Sequence, residues 1–355
     1  MSEARTLATV AQLTCFDEVV DVRTPMEYAE DHVPGAANRP VLSNEERAQV
    51  GTLYKQVSPF TARRVGAALA ARNIAHHIET AFADRPRSWR PLVYCWRGGK
   101  RSEALVHMLR EVGWQAQRLE GGYKAYRRAV REELPQLARR LHMRVVCGLT
   151  GSGKSRLLET LERLGAQVLD LERLAAHRGS VLGNLPGAPQ PSQKMFESRL
   201  WHRLRGLDPQ RPVFVESESA RIGTLHVPDE LMARLWEGEC VRVETRLAAR
   251  LSLLKAEYAH FLADPASLGG QLDCLVALHG HAAIDRWKDM ALRGDWDLLV
   301  GELLERHYDP AYRRSILGHY PGLAHAQAVY IESPEEESFL AAARLLIALP
   351  AAAPA

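Results

Sequence analysis

Two stretches of this 355-residue chain set chemistry-bearing side chains among glycines. In CWRGGKRS, Cys95 is followed by Arg97, Gly98, Gly99, Lys100 and Arg101, and Ser102 opens a helix-forming run. The apolar lead-in Leu92, Val93 and Tyr94 predicts a strand ending at the cysteine, so the loop's amides would gather around the sulfur. Such surroundings favour thiolate over thiol, lowering the pKa from about 8.5 and making a nucleophile at neutral pH. Arg101 can grip an oxyanion bidentately, and Ser102 is expected to cap the helix. A lone cysteine is usually a buried structural residue. Two glycines and three cations beside this one argue against burial.

The second stretch, GLTGSGKS, fits the phosphate-loop spacing G-x-x-x-x-G-K-[ST]. Gly148, Gly151 and Gly153 allow the backbone to wrap closely, so that amides, including that of Ser152, can point at a phosphate. Lys154 adds a point charge at the start of a helix, and Ser155 can hold Mg²⁺ through its hydroxyl. A strand over 144–147 and a helix from about Lys154 supply the context this motif requires. Asp170 and Glu172 end one predicted strand, and Glu216 and Glu218 end another. Asp170 or Glu216 could hold a metal-bound water or act in acid–base chemistry, although strand-end carboxylates also serve as helix caps. The sequence shows no direct metal-ligand cluster, and no permanently bound cofactor is expected.

Short apolar runs alternate with helical stretches, the pattern of an α/β protein with parallel sheets. Strands are expected over 18–23, 91–95, 116–123, 144–147, 166–172, 211–219 and 326–333. A long helix follows Pro59, and a charged helical tract over 125–141 is interrupted by Pro135. The domain boundary is set there, giving domains 1–135 and 136–355, the second carrying a helical subdomain over about 228–319. Within that block Arg242, Arg246 and Arg250 recur at helical spacing, as a basic stripe or a solvated face. His279 and His281 do not share a helix face, and Trp236, Trp287 and Trp296 read as packing residues. Cys147 reads as an inert strand residue.

The bulk composition is that of a globular protein, 46% hydrophobic and 25% charged, with a net charge of +3. Between Phe60 and Val145 there are 18 Lys or Arg against 7 Asp or Glu, a local excess of 11. That density suits RNA, or a solvated face with no partner. Five scattered cysteines without zinc spacing fit a reducing cytosol. MSEARTLATV lacks a signal-peptide pattern, and no apolar run is long enough for a membrane helix. A cytoplasmic protein without membrane attachment is expected.

The residues also carry a resemblance. DVRTPMEYAEDHVPGAANRP resembles the rhodanese pattern at Asp21, Arg23, Glu27, Tyr28, His32, Pro34, Gly35, Ala36 and Asn38, and LEGGYKAY resembles its closing glycine segment. The resemblance implies a rhodanese-like parallel-sheet domain in which Cys95 carries sulfur, or its heavier congener, as a persulfide-type adduct. Common rhodanese loops run C-x-x-G-x-R, whereas Arg101 gives C-x5-R, similar to the phosphate-binding loops of cysteine phosphatases. A rhodanese-like domain followed by a P-loop NTPase-like domain with a helical insertion resembles the tRNA 2-selenouridine synthases. RPVLSNEERAQVGTLYKQ, DLERLAAHRGSVLG, PQPSQKMFE and RHYDPAYRRS carry this second likeness. It implies geranylation of a wobble 2-thiouridine by geranyl diphosphate, then replacement of the geranylated sulfur by selenium from selenophosphate. The implied partners are the tRNA anticodon arm, small anions and, transiently, a selenophosphate-producing enzyme. The rivals are a cysteine phosphatase or sulfurtransferase fused to a kinase-like P-loop module, and a noncatalytic RNA-binding adaptor.

Overall fold

The computed structural model describes residues 7–350. Residues 1–6, at the head of the stretch read as free of a targeting signal, and 351–355 lie outside the described residues. Two compact units emerge: 7–134 together with Ser192–His202, and Pro135–Pro191 together with 203–350. Ser192–His202, which a linear division gives to the second domain, groups with the first unit for local reasons. Trp201 meets Tyr126 edge-on at 5.5 Å and donates to Glu133 at 3.0 Å, Lys194 pairs with Glu30, and Arg127 pairs with Glu197.

The first unit runs β1 (Leu7–Ala8), β2 (Glu18–Asp21), α1 (Pro25–Glu30), β3 (Ala37–Asn38), α2 (Asn44–Gln56), α3 (Pro59–Glu79), β4 (Pro91–Tyr94), α4 (Lys100–Val112), β5 (Gln117–Leu119) and α5 (Gly122–Arg139). Ser43 and Glu46 form a capping box at α2, and Ser58 caps α3 ahead of Pro59. The strands pair in parallel in the order β1-β5-β4-β2-β3. All of β4 is buried, as a central parallel strand must be. Val93, Phe82, Leu105, Trp89 and Trp114 pack around it. The strand expected over 116–123 is only three residues long, because Gly121 and Gly122 take positive φ and turn the chain into α5.

The second unit runs β6 (Met143–Cys147), α6 (Lys154–Arg163), β7 (Gln167–Leu169), α7 (Leu171–Ala175), the end of α8 (Gln193–Arg205), β8 (Val213–Glu216), the hairpin β9 (Arg221–Ile222) and β10 (Leu225–His226), α9 (Asp229–Trp236), β11 (Glu239–Thr245), α10 (Leu247–Glu257), a run of short helices, and β12 (Gln327–Ile331). Its sheet is also parallel, ordered β12-β11-β6-β8-β7. β11 corrects the expected helical block over 228–319, since it pairs with both β6 and β12. The basic stripe disappears with it. Arg242 lies in the strand, Arg246 precedes α10, and Arg250 is buried in α10. The helices beyond have their own core around Trp287, Leu272, Leu275 and Phe261. Trp236 stacks on His319, and His279 bonds to His307 at 3.1 Å. No helix among the described residues is long and apolar enough to cross a membrane.

Both sheets reverse their strand order beside one strand. In the first unit the chain passes from β2 to β3 on one side and to β4 and β5 on the other. In the second, β7 and β8 lie on one side of β6 and β11 and β12 on the other. Ligand sites gather at the carboxyl ends of strands at such reversals. Cys95 follows β4, and the glycine-rich loop follows β6.

Candidate functional sites

The Cys95 loop is held by its neighbours' backbone. The Tyr123 amide donates to the Cys95 carbonyl at 2.8 Å, and the Lys124 amide donates to that of Trp96 at 3.1 Å. A Cβ on Gly122 would run into the Cys95 carbonyl and the Gly98 amide, so only glycine fits there. A Cβ on Gly98, at φ +66°, would likewise strike the Leu119 carbonyl, and Arg118 donates to the Gly98 carbonyl at 3.0 Å. This packing leaves Cys95 only 3% exposed. The expectation that glycines and cations would keep it open is therefore corrected, because glycine's missing side chain lets other backbone close over it.

Burial pushes the Cys95 thiol up. The Ser102 hydroxyl and amide, the Arg97 amide and the charge of Arg101 outweigh it and hold the thiol below its ordinary value. Ser102 does not cap α4, whose N-cap is Gly99 without a side-chain bond. Fully buried, its hydroxyl lies 3.2 Å from Cys95 Sγ and 3.0 Å from the Gly99 carbonyl. One hydroxyl proton serves one acceptor at a time. It can satisfy Gly99 while the sulfur is a thiol and turn to the sulfur when it is a thiolate. Sγ itself lies 3.7 Å from the Gly99 carbonyl, within reach of a weak S–H bond. Arg101 is tethered to Glu27 at 2.9 Å, while Arg97, Gly99 and Lys100 are exposed around the loop.

The remaining rhodanese-pattern residues form scaffold. Arg23 and Asp21 make a buried ion pair at 2.6 Å, with Arg23 also donating to the Asp31 carbonyl. Asn38 bridges the carbonyls of Asp21 and Arg23, His32 donates to the Tyr28 carbonyl, and Glu27 closes the cap of α1.

In the second unit, Lys154 is folded back onto its own loop. It donates to the Gly148 carbonyl at 2.9 Å and pairs with Glu216 at 3.4 Å. Burial alone would depress its pKa, but Glu216, with Tyr312, Glu172 and Glu218, keeps the ammonium above its usual value. Ser155 donates to Glu216 at 3.1 Å, with Glu172 at 3.4 Å. Gly151 and Gly153 sit at φ +76° and +83°, where a Cβ would strike Leu254 and Phe339. Ser152 is buried and its hydroxyl has no partner among the described residues, while its carbonyl accepts from Thr245 at 2.9 Å. The Gly148 amide donates to the Tyr312 hydroxyl at 2.6 Å, and Arg250 joins the Thr150 carbonyl to Asp309. Tyr312 and Arg250 were invisible as site residues in the sequence, being drawn from distant helices.

Glu172, Glu216 and Glu218 bring carboxylate oxygens within 4.8 Å of one another. The sequence shows no such grouping, and the three carboxylates form a candidate cation site. Glu172 lies more than forty positions before Glu216 and Glu218 in sequence, and the ends of β7 and β8 bring the three together. Burial, then Glu216, pushes Glu218 up to about 8 and holds Glu172 well above the carboxylate range. Three carboxylates and the Ser155 hydroxyl are hard oxygen donors that fit Mg²⁺. Asp170 instead caps α7, accepting from the Arg173 amide at 2.8 Å. A cavity of about 710 Å³ extends from the loop, lined on its apolar side by Val181, Leu185, Leu253, Leu254, Tyr258 and Ile316.

Comparison with known proteins agrees with this two-part reading. The rhodanese-like domain family matches residues 6–129, and the tRNA 2-selenouridine synthase AAA domain family matches residues 141–272. A tRNA 2-selenouridine synthase of Nitrosomonas europaea is 36% identical over 247 residues, covering 68% of this chain and 63% of that protein, just under two thirds of its length. One from Marinobacter nauticus is 35% identical, covering 68% of this chain and 65% of its own. One from Aeromonas salmonicida is 32% identical over 323 residues, covering 83% of this chain and 86% of its own length. With a rhodanese-like region followed by that AAA domain and a relative matched nearly end to end, this chain belongs to the tRNA 2-selenouridine synthase family.

Proposed function

We propose that this protein converts 2-thiouridine at the wobble position of tRNA into 2-selenouridine in two steps, with a geranylated intermediate. In the first, the thione sulfur attacks C1 of geranyl diphosphate. A C–S bond forms, the C–O bond breaks, diphosphate leaves with the electron pair, and the N3 proton of the base passes to water. Lys154 and the loop amides from Gly151 to Ser155 bind that leaving group, and Glu172, Glu216, Glu218 and Ser155 would hold Mg²⁺, which supplies further charge neutralisation. The apolar flank of the cavity suits a ten-carbon chain.

In the second step, Cys95 attacks selenophosphate. Attack on selenium, as a persulfide-type adduct implies, would expel phosphorus reduced by two electrons. Attack on phosphorus leaves phosphocysteine and hydrogen selenide with no change of oxidation state. The C-x5-R spacing, similar to that of the phosphate-binding loops of cysteine phosphatases, favours the second route. Selenide then adds at C2 of the geranylated base, geranylthiolate departs, and water hydrolyses the phosphocysteine. Basic residues of the first domain suit the anticodon arm, and a selenophosphate-producing enzyme would supply the donor.

The observation that carries this reading is the buried Cys95 sulfur at the head of α4 with the Ser102 hydroxyl 3.2 Å away, surroundings that hold the thiol below its ordinary value. Nucleoside mass spectrometry of tRNA from complemented cells tests it. Cys95→Ser should abolish 2-selenouridine while geranylated nucleoside persists, and Lys154→Ala should abolish geranylation itself. Unchanged 2-selenouridine in Cys95→Ser overturns the nucleophile. Tight nucleotide binding without geranyl diphosphate binding overturns the assignment of the phosphate loop.

A further inference from the structure

Trp96 follows the nucleophile directly, yet neither the rhodanese pattern nor the anion nest uses it. It is 37% exposed, whereas Trp89, Trp114, Trp201 and Trp287 are buried in the cores. Its ring is stacked on Tyr123, with centroids 5.2 Å apart and planes 29° apart. That support is rigid. Tyr123 is 5% exposed, its hydroxyl donates to Asp31 at 2.7 Å, and the Arg23 guanidinium lies 4.0 Å from its ring centroid. The Lys124 amide fixes the Trp96 carbonyl. One side of the indole is thus packed against a buried pillar, and the rest faces outward beside Cys95. Its N–H has no acceptor among the described residues. Arg97 and Lys100, exposed in the same loop, make no ion pair among the described residues.

A flat, outward, preorganised aromatic surface flanked by unneutralised cations has the chemistry of a single-stranded RNA site, where bases stack on rings and phosphates meet cations. We propose that Trp96 is the nucleobase platform of the Cys95 site. A pyrimidine stacks on its outward face, turning C2 toward the loop, while Arg97 and Lys100 take the flanking phosphates. This rests on the reading of Cys95 as acting on a tRNA nucleoside. Stacking on indole does not depend on the chalcogen at C2, so the platform serves substrate and product alike.

The test uses the full-length protein and a short anticodon stem–loop RNA carrying S-geranyl-2-thiouridine, with Trp96→Ala, Trp96→Leu and Trp96→Phe. Binding is read by fluorescence anisotropy, selenium incorporation by KM and kcat, and the integrity of the loop by the rate of Cys95 alkylation. Trp96→Ala and Trp96→Leu should weaken binding and raise KM roughly tenfold to a hundredfold, with alkylation within about twofold of the parent. Trp96→Phe should recover most of the loss. Leucine covers Tyr123 without offering a flat ring, so it separates stacking from mere packing. Equal RNA affinity in the parent and Trp96→Leu overturns the platform, as does failure of Phe to outperform Leu. RNA binding that depends on Trp96, without selenium incorporation by the parent protein, overturns the reaction reading and leaves the platform standing.

Discussion

Around Cys95 the balance between burial and hydrogen bonding rests on Ser102. Removing its hydroxyl leaves the thiolate dependent on amides and Arg101 while burial continues to oppose ionisation. A hydrogen bond to a charged group contributes about 1.5–3 kcal/mol, and one pKa unit corresponds to about 1.4 kcal/mol. Ser102→Ala should therefore raise the Cys95 pKa and slow iodoacetamide alkylation at pH 7 roughly tenfold, with little effect above the new pKa. A pH–rate profile unchanged from the parent would remove Ser102 from the nest. The thiol and the cations beside it were legible in the sequence because they are consecutive. The role of Ser102 was misread, since its position at the start of a helix fits a cap equally well, and only the direction of its side chain decides between the two.

At the scale of elements, the phosphate loop is clamped from outside. Arg250 of α10 is buried, donates to the Thr150 carbonyl at 2.8 and 3.0 Å, and pairs with Asp309 of the helix Asp309–His319. Cutting one partner from a buried pair costs about 3–5 kcal/mol. Arg250→Ala should destabilise the protein by about 3 kcal/mol in denaturant titration and weaken geranyl diphosphate binding through the freed Thr150 carbonyl. A loss below about 1 kcal/mol would mean that the loop holds itself. The Lys154 loop was readable from glycine spacing, but its clamp was not, because Arg250 shares helical spacing with Arg242 and Arg246 in the sequence. β11 was hidden for a related reason. Glu239, Arg242 and Glu244 break its apolar run, and Leu- and Trp-rich helices flank it, whereas the fully buried β4 reads as a continuous apolar strand and β6 is interrupted only by Arg144.

For the whole molecule, both sheets place a glycine-rich loop at a reversal of strand order, and the second also gathers three carboxylates there. Glu218 ionises near 4.5 when unfolded and near 8 when folded. A folded pKa raised in this way stabilises the metal-free protein below about pH 4.5, and the contribution is lost as pH rises through about 8. Mg²⁺ needs the ionised carboxylates and must displace protons below that pH. The rise in melting temperature on adding MgCl₂ should therefore be larger at pH 8.5 than at pH 6, and Glu218→Gln should flatten the difference. A shift equal at both pH values would exclude this trio as the cation site. The parallel α/β plan of the chain was plain from its alternating pattern. The return of Ser192–His202 to the first unit was not, because pairings such as Trp201 with Glu133 link residues far apart in sequence.

The single proton of Ser102, poised between the Gly99 carbonyl and the Cys95 sulfur, has an energetic consequence. Charging or discharging the sulfur needs only rotation about one C–O bond, with no rearrangement of the main chain that Gly122 and Tyr123 lock in place. The reorganisation energy of ionising the sulfur is thereby confined to a hydroxyl rotor, so the loop can cycle between neutral and anionic sulfur as a stationary frame.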